Sequence, residues 1–348
     1  MKDLEEIKKY LKEYDGPEMN IMEVCGSHTE AVAKNGIPGM LSKKIHLLSG
    51  PGCPVCVTPS AYIDKLISLS EDEKNVIVTF GDLLRVPGSE LSLNDVKGMG
   101  RRVEMVYSPL DIITLSKKEP ERTFIFAAVG FETTTPVYAL LLEKLIREGV
   151  RNVKLLTALK TMPEVIAYLM DNDAPIDAFL APGHVSTVTG YGIFKPLATR
   201  YGIPFGVAGF KGEELLIALY GIVKNRGNGV VKNYYPSVVT EKGNEKAEEV
   251  IDRYFIKTDA VWRGMGNVPH SGRMIRDEFK DFDAGSEGLT EDKKKNKACS
   301  CDKVLMGKMK PADCPLYGKV CNPLNPQGAC MVSQEGSCFS YYVNKRTD

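Results

Sequence analysis

Short apolar runs alternate with helix-like segments from residue 20 to residue 225 of this 348-residue chain. Each run has the length of a buried strand and ends at glycine or at a polar side chain. Strands spaced by helices predict βαβ units, in which right-handed crossovers join parallel strands. The predicted strands are 20–24, 45–48, 76–80, 102–107, 123–129, 153–159, 178–180 and 205–208, and the predicted helices are 29–34, 60–69, 110–116, 136–148, 163–171, 191–201 and 213–224.

The alternation restarts near residue 121, so the sequence predicts an α/β fold with two similar halves. We expect two four-stranded parallel-sheet domains, 20–120 and 121–225, that face a central cleft. Residues 226–348 include a polar stretch and a cysteine-rich tail. Together with an N-terminal helix in residues 1–19, they are expected to form a smaller third domain held by a metal centre.

The composition narrows the class of protein. Lys and Arg number 45, as do Asp and Glu, and the formal net charge of zero argues against a general nucleic-acid binder. A hydrophobic fraction of 43% is typical of a globular protein with a buried core. No apolar run approaches the ~20 residues of a membrane helix, and the N-terminus is charged, unlike a signal peptide. We therefore expect a cytoplasmic protein without membrane or nucleic-acid partners.

The nine cysteines fall into two groups. Cys25, Cys53 and Cys56 lie in the first sixth of the chain, the other six lie within the last fifty residues, and none lies between positions 57 and 298. In a reducing cytoplasm, such clusters indicate metal or redox chemistry more often than structural disulfides.

Polar motifs follow several predicted strands, where ligands bind in open parallel sheets. Cys25 and His28 follow the first strand, Glu132 the fifth and His184 the seventh. Cys25 has the chemistry of a nucleophile or a soft iron ligand, although a free cysteine is often a small buried hydrophobe. Glu132 is a candidate general acid or base, a metal ligand, or a charge that complements a helix dipole. The glycines in these motifs also suit tight turns.

Cys53 and Cys56 form a C-x-x-C motif between a predicted strand and a predicted helix. This spacing allows the pair to cycle between dithiol and disulfide, and a nearby helix N-terminus favours the thiolate. Two other interpretations stay open. The pair is either half of a zinc site, with Cys25 and His28 as further ligands, or two inert thiols.

The tail carries the strongest metal signal. Four cysteines there can hold a [4Fe–4S] cluster or a zinc ion. The tail lacks the close C-x-x-C knuckles that zinc sites favour, and its long irregular spacings favour the cluster. Cys301 and Cys330 are left over and suit a redox-active pair beside it. The predicted ligands are Cys299, Cys314, Cys321 and Cys338.

Taken together, the motifs resemble the HypD family of hydrogenase maturation factors. One departure from the family pattern is Glu30, where members often carry a second histidine. The resemblance covers residue 20 to Cys338. The motifs are Cys25-Gly26-Ser27-His28-Thr29, Gly50-Pro51-Gly52-Cys53-Pro54-Val55-Cys56, Gly130-Phe131-Glu132-Thr133-Thr134 and Pro182-Gly183-His184-Val185-Ser186.

The resemblance implies an assembly scaffold with redox competence, which is not a high-turnover enzyme. HypD-like proteins assemble the Fe(CN)2CO fragment of [NiFe] hydrogenase with the small chaperone HypC, and HypE delivers cyanide as its thiocyanate. By position, Cys25 holds the iron, together with a HypC cysteine. Cys53 and Cys56 form the thiol–disulfide pair.

The same resemblance assigns the tail. Its four predicted ligands hold the [4Fe–4S] cluster, and Cys301 and Cys330 form a second redox pair, as in ferredoxin–thioredoxin reductase. His28, Glu132 and His184 become candidates for handling protons or orienting the diatomic ligands. The rival functions are a ferredoxin-linked [4Fe–4S] disulfide reductase and a zinc-stabilised binding protein.

Overall fold

Eleven strands and thirteen α-helices make up the part of the chain that the computed structural model describes, residues 3–293 and 296–344. Both ends of the predicted third domain, residues 1–2 and 345–348, lie outside it. The strands are β1 Met19–Glu23, β2 Ile45–Ser49, β3 Asn75–Thr79, β4 Val103–Met105, β5 Thr123–Gly130, β6 Val153–Lys160, β7 Ala178–Pro182, β8 Phe205–Ala208, β9 Val231–Asn233, β10 Phe255–Trp262 and β11 Gly266–Ile275. The helices are α1 Leu4–Lys12, α2 Gly26–Lys34, α3 Ser60–Leu69, α4 Leu93–Gly98, α5 Asp111–Lys118, α6 Thr135–Arg147, α7 Met162–Asp171, α8 Gly183–Thr189, α9 Lys195–Tyr201, α10 Gly212–Lys224, α11 Glu245–Tyr254, α12 Cys301–Leu305 and α13 Ser337–Val343.

The strands form two sheets. Sheet A has the order β2-β1-β7-β8-β9, and all of its neighbouring strands are parallel. Sheet B has the order β10-β11-β6-β5-β3-β4, with parallel pairs from β6 to β4 and antiparallel pairs at β10 and β11. The central strand β5 is apolar along almost its whole length because helices or loops cover both of its faces. The expected α/β class with parallel-dominated sheets is confirmed.

Each of the eight predicted strands is present, but their distribution between the sheets differs from the prediction. Sheet A combines β1 and β2 from the first predicted half with β7 and β8 from the second, and sheet B combines β3 and β4 with β5 and β6. The sheets have five and six strands instead of four each. Local alternation of strand and helix fixes where strands occur, whereas long-range contacts decide which strands become neighbours.

The predicted third domain is also distributed differently. Helix α1 packs on α10, and its buried Ile7 and Leu11 join the core beneath sheet A instead of the cysteine-rich tail. Strand β9 extends sheet A, and β10 and β11 extend sheet B. The cysteine-rich tail therefore comprises the segment from about Cys299 onward, and its helix α13 packs against α2. Among the described residues, the helices are all too short or too polar to cross a lipid bilayer.

Candidate functional site

The parallel order of sheet A places three sequence motifs side by side. β1, β2 and β7 are neighbours, so the residues that follow them meet at one edge of the sheet. Cys25 follows β1, the loop with Cys53 and Cys56 follows β2, and His184 follows β7. The first and second of these motifs are in direct contact through Gly26 and Gly52.

Cys25 is the residue that precedes helix α2, and its side chain is buried. Burial raises the pKa of the Cys25 thiol to about 11. The nearby carboxylate of Glu335 also raises this pKa, while the backbone N–H groups of His28 and Ser27 and the Ser27 hydroxyl lower it. The thiol is therefore protonated at neutral pH, in a site where a metal cation would have to displace the proton.

Gly52 holds the C-x-x-C loop against Cys25. The Gly26 N–H donates to the Gly52 carbonyl at 3.1 Å. A Cβ atom at Gly52 would lie 2.4–2.7 Å from the backbone N, Cα and C atoms of Cys25, closer than real atoms approach. Glycine at this position is what lets the two backbones touch.

Cys53 and Cys56 are joined in a disulfide with their Cα atoms 5.2 Å apart. Both side chains are buried. The Cys56 sulfur lies 3.8 Å from the Ala329 carbonyl oxygen, and Ala329 directly precedes Cys330. The disulfide therefore packs against the cysteine-rich tail, although the two segments are more than 270 residues apart in sequence.

A loop of the tail also contacts the Cys25 turn. The Ser27 hydroxyl donates to Glu335 Oε1 at 3.1 Å, and a Cβ atom at Gly26 would lie within 2.4–2.9 Å of Glu335. In the same loop, the Ser333 hydroxyl donates to Asp82 Oδ2 at 2.9 Å, and Asp82 follows strand β3 of sheet B. The loop thus connects the carboxyl edges of both sheets.

Sequence reasoning did not identify Glu335 as part of this site. The residue lies between Cys330 and Cys338, where the cysteine spacing indicates a metal site and does not distinguish a single acidic residue. Its one distinguishing signal is the following glycine, Gly336, where a Cβ would lie 2.2 Å from the Cys330 carbonyl oxygen. This contact fixes the loop that carries Glu335.

Five tail cysteines border one cavity: Cys299, Cys301, Cys314, Cys321 and Cys338. All four predicted cluster ligands are in this set. Cys301 is the fifth member, with its sulfur 3.4 Å from that of Cys299. Cys330, predicted as its redox partner, is fully buried beside Ala329 and does not border the cavity.

The cavity is lined by thiols, the donor type that ligates iron–sulfur clusters. Gly328 forms part of the wall, where a Cβ atom would lie 2.6 Å and 2.8 Å from the Cys301 and Cys299 sulfurs. The Gln327 N–H donates to the Cys321 sulfur at 3.4 Å, as expected for a sulfur that ligates iron. Burial raises the pKa of Cys321 to about 11, so deprotonation needs a bound cation. No three Cys, His, Asp or Glu side chains of residues 3–293 and 296–344 are arranged around a single metal ion.

The two predicted histidines contact the same phenylalanine. His28 is fully buried, and its Nε2 lies 3.1 Å and 3.0 Å from the carbonyl oxygens of Ala208 and Gly209. Its ring lies 4.7 Å from that of Phe210, and the exposed His184 stacks on Phe210 at 4.0 Å. Burial lowers the pKa of His28 to about 4 and also lowers that of His184. The neutral His28 side chain therefore ties α2 to the end of β8.

Glu132 follows the central strand β5, at the carboxyl edge of sheet B, and contacts a helix N-terminus. Its Oε1 accepts from the Met162 N–H, the first residue of α7, at 2.7 Å. Its Oε2 is buried and has no hydrogen-bond partner in the part of the chain that the structure describes. Burial raises the pKa of Glu132 to about 7, and the Met162 N–H opposes this shift. Glu132 can hold or release a proton near neutral pH.

Comparison with known proteins agrees with the motifs. The HypD family model, described as the hydrogenase formation hypA family, matches residues 1–345. A protein of Methanocaldococcus jannaschii, provisionally named a hydrogenase expression/formation protein, is 41% identical over 99% of this chain and 97% of its own length. The hydrogenase maturation factors HypD of Azotobacter vinelandii and Cupriavidus necator are 39% and 37% identical, each over 94% of this chain and 89% and 90% of their own lengths.

Proposed function

The chain belongs to the HypD family, and from this premise we propose that it is a redox-active scaffold of [NiFe] hydrogenase maturation. The Fe(CN)2CO fragment of the hydrogenase is assembled on it in the cytoplasm. Its partners are a HypC-like chaperone and a HypE-like cyanide donor. Membership of the family supports the role in hydrogenase maturation, and we propose a role for each of the residues at the site.

One observation carries the proposal: three cysteine-bearing segments, two near the start of the sequence and one near its end, meet at one place. The Cys25 turn touches the C-x-x-C loop through Gly52, and that loop touches the tail through Cys56 and Ala329. A protein that binds iron and also carries out redox chemistry needs its cysteine-bearing segments close together. Thiols with only a structural role do not need this arrangement.

In the proposal, Cys25 binds the incoming iron. Thiolate is a soft ligand that suits low-spin iron with cyanide and carbonyl ligands. The thiol is buried, so water and oxygen have restricted access to the iron. Binding releases the thiol proton, and the nearby Glu335, whose pKa burial raises, is a neighbouring acceptor. The HypC-like partner supplies a second cysteine.

Cys53 and Cys56 supply an electron pair. Cleavage of a thiocyanate, RS–CN, to a thiol and HCN consumes two electrons and two protons. Oxidation of the Cys53–Cys56 dithiol to the disulfide releases the same number of each, so the step balances. The structure has the pair in its disulfide form, which must be reduced before each transfer.

The tail cysteines hold the proposed [4Fe–4S] cluster. Cys299, Cys314, Cys321 and Cys338 are the proposed ligands, and Cys301 borders the same cavity. A cluster of this type supplies single electrons when bound. Cys330 remains the proposed partner of Cys301 in a second redox pair.

Glu132, His28 and His184 have distinct proposed roles. Glu132 is a proton donor or acceptor because its pKa of about 7 leaves both forms populated. His28 is neutral and positions the helix that follows Cys25. His184 is exposed and is available to orient a ligand or a partner.

Hydrogenase activity in a host that lacks its own HypD tests the function. We expect the wild-type chain and the His270→Ala variant, altered at an exposed histidine, to restore activity. The Cys25→Ala variant should restore none while accumulating to the wild-type level. Full activity with Cys25→Ala would contradict the proposal.

The contact between the disulfide and the tail also fits the rival function, a ferredoxin-linked disulfide reductase. Anaerobic affinity purification from the same host separates the two. Recovery of a small HypC-like chaperone supports the scaffold, and recovery of a thioredoxin in its place supports the reductase.

A further inference from the structure

The hairpin turn that joins β10 to β11, residues 263–265, contacts the C-x-x-C loop. The Arg263 N–H donates to the Val57 carbonyl oxygen at 2.8 Å, and Arg263 Nε donates to the Thr58 carbonyl oxygen at 2.7 Å. Val57 and Thr58 directly follow Cys56 in the sequence. A single residue of the turn therefore bonds to both residues that come after the C-x-x-C pair.

The C-x-x-C loop is also closed by hydrogen bonds within itself. The Cys56 N–H donates to the Cys53 sulfur at 3.1 Å, and the Thr58 hydroxyl donates to the Pro54 carbonyl oxygen at 2.8 Å. The Val57 N–H donates to the Cys53 carbonyl oxygen at 3.2 Å. Because these bonds link the two ends of the loop, a contact that holds Thr58 also restricts both cysteines.

The Arg263 side chain is itself fixed in a buried position. The residue is 7% exposed, and its Nη2 donates to the Pro87 carbonyl oxygen at 3.4 Å. Its Nε lies 3.9 Å from Asp292 Oδ1, and the Asp292 carboxylate also accepts from the N–H groups of Ser60 and Gly264. A buried guanidinium needs such partners, and here they orient it toward the C-x-x-C loop.

The same turn contacts the cysteine-rich tail. A Cβ atom at Gly264 would lie 2.4 Å and 2.7 Å from the Cβ and Cα atoms of Asp302, which directly follows Cys301 in helix α12. The turn is therefore packed against the tail while Arg263 bonds to the C-x-x-C loop. This packing limits how far the turn can move with the loop.

A loop that is held in this way favours the disulfide over the dithiol. Reduction adds two electrons and two protons and replaces the sulfur–sulfur bond by two separate thiols. The dithiol gains conformational freedom when its loop can relax, and this gain stabilises the reduced form. Bonds that keep the two thiols close raise their effective concentration and so stabilise the disulfide.

We propose that Arg263 is a positioning residue of the Cys53–Cys56 pair. Its bond to the Thr58 carbonyl keeps the two sulfurs close together and stabilises the disulfide relative to the dithiol. This role rests on the proposed redox function of the pair, in which Arg263 itself exchanges no electrons.

Anaerobic equilibration of the full-length protein with mixtures of reduced and oxidised dithiothreitol at pH 7 tests this role. The protein disulfide and the reagent dithiol exchange two electrons and two protons, so the step balances. After free thiols are alkylated, trypsin releases residues 45–65, which contain Cys53 and Cys56 and no other cysteine. Mass spectrometry of this peptide gives the oxidised fraction. We expect Arg263→Met to shift the equilibrium at least tenfold toward the dithiol, a rise in reduction potential of about 30 mV.

Two further variants grade the effect. Arg263→Lys keeps a cationic donor near the Thr58 carbonyl, so its equilibrium should fall between those of Arg263→Met and the wild type. Asp292→Asn weakens the hold on the guanidinium and should shift the equilibrium several-fold in the same direction. Asp292→Asn also serves if Arg263→Met fails to fold.

Arg273→Met is the matched control for a purely structural effect. The Arg273 side chain is 10% exposed, against 9% for Arg263, and it pairs with Glu248 and Asp252. Its loss should lower stability in urea denaturation but leave the thiol equilibrium within twofold of the wild type. A change of potential that is confined to the Arg263 and Asp292 variants supports positioning.

Two results would overturn the role of Arg263. One is an equilibrium that is the same in the wild type, Arg263→Met and Asp292→Asn. The other is a shift of Arg263→Met toward the disulfide, since this would show that the guanidinium acts by its charge on the thiolates. Either result leaves the proposed scaffold function intact. A wild-type pair that stays reduced in every mixture would instead contradict the redox function, and with it the role of Arg263.

Discussion

Replacing Glu132 by glutamine should change how the stability of the protein depends on pH. Glu132 is 6% exposed, and one of its carboxyl oxygens accepts from the Met162 N–H, while the other has no hydrogen-bond partner among the described residues. Burial raises its pKa from the ordinary value of 4.5 to about 7 in the folded protein. Between these two pH values the folded state holds a proton that the unfolded state has lost, so stability falls as pH rises.

The size of the effect follows from the pKa difference. Each pKa unit corresponds to about 1.4 kcal/mol, so the carboxylate costs the folded state about 3 kcal/mol above pH 7. The Glu132→Gln variant keeps an oxygen for the Met162 N–H and never ionises. Relative to the variant, the wild type should therefore lose about 3 kcal/mol of unfolding free energy between pH 4.5 and pH 8.

Urea denaturation at a series of pH values measures this difference. Trp262, the single tryptophan, is buried and stacks on Phe131 at 5.9 Å, so its fluorescence reports on the region next to Glu132. Glu119→Gln is a control of opposite sign, because Arg102 lowers the pKa of that carboxylate. There the wild type should gain stability relative to the variant as pH rises from acid to neutral. A difference between the wild type and Glu132→Gln that stays constant with pH would refute the reasoning.

Three further predictions concern the cysteine-bearing segments. Gly52→Ala should destabilise the protein by about 1–3 kcal/mol in urea denaturation, because its Cβ would clash with the Cys25 backbone. Gly39→Ala should change stability by less than about 0.5 kcal/mol, because no atom of the other described residues, its chain neighbours and local helical backbone aside, lies within 4 Å of the added Cβ. Equal effects of the two variants would contradict the close contact at Gly52. Cys321→Ser should abolish bound iron while Cys301→Ser retains most of it, as measured by anaerobic metal analysis, and the reverse outcome would exchange the two assignments. The His28 imidazole, with a pKa of about 4, should stay neutral at pH 5.5 in nitrogen-15 NMR spectra, and protonation at that pH would contradict its buried contacts.

The sequence predicts the local elements between residues 20 and 225 well, but it does not predict strands β9, β10 and β11, which lie beyond them. All eight predicted strands are present because each is an apolar run that ends in glycine or a polar residue. The distribution of strands between sheets was not predictable in this way. The pairing of Ile21 with Ala178 joins segments 157 residues apart, and no local pattern records such a contact. Helix α1 likewise packs on α10, and Tyr10 contacts Tyr220 there. Amphipathic spacing predicts that α1 has a buried face but cannot assign that face to a particular partner.

Residue types and their spacing predict which segments carry the candidate site. The C-x-x-C motif identifies one segment and the four spaced cysteines identify another, and the structure brings these two segments into contact through Ala329. Glu335 was not found because a single acidic residue in a cysteine-rich tail carries no distinctive pattern. The position of Cys301 at the cysteine cavity depends on how the chain folds around Gly328, and spacing does not show this.

Infrared spectroscopy and metal analysis of one anaerobic preparation test the central claim, which is that Cys25 binds iron beside a cluster held by the tail cysteines. The wild type should show cyanide and carbonyl stretching bands and contain iron without zinc. The Cys25→Ala variant should lose these bands and keep the visible absorbance of the cluster. Bands that persist in Cys25→Ala, or zinc in place of iron in the wild type, would contradict the account.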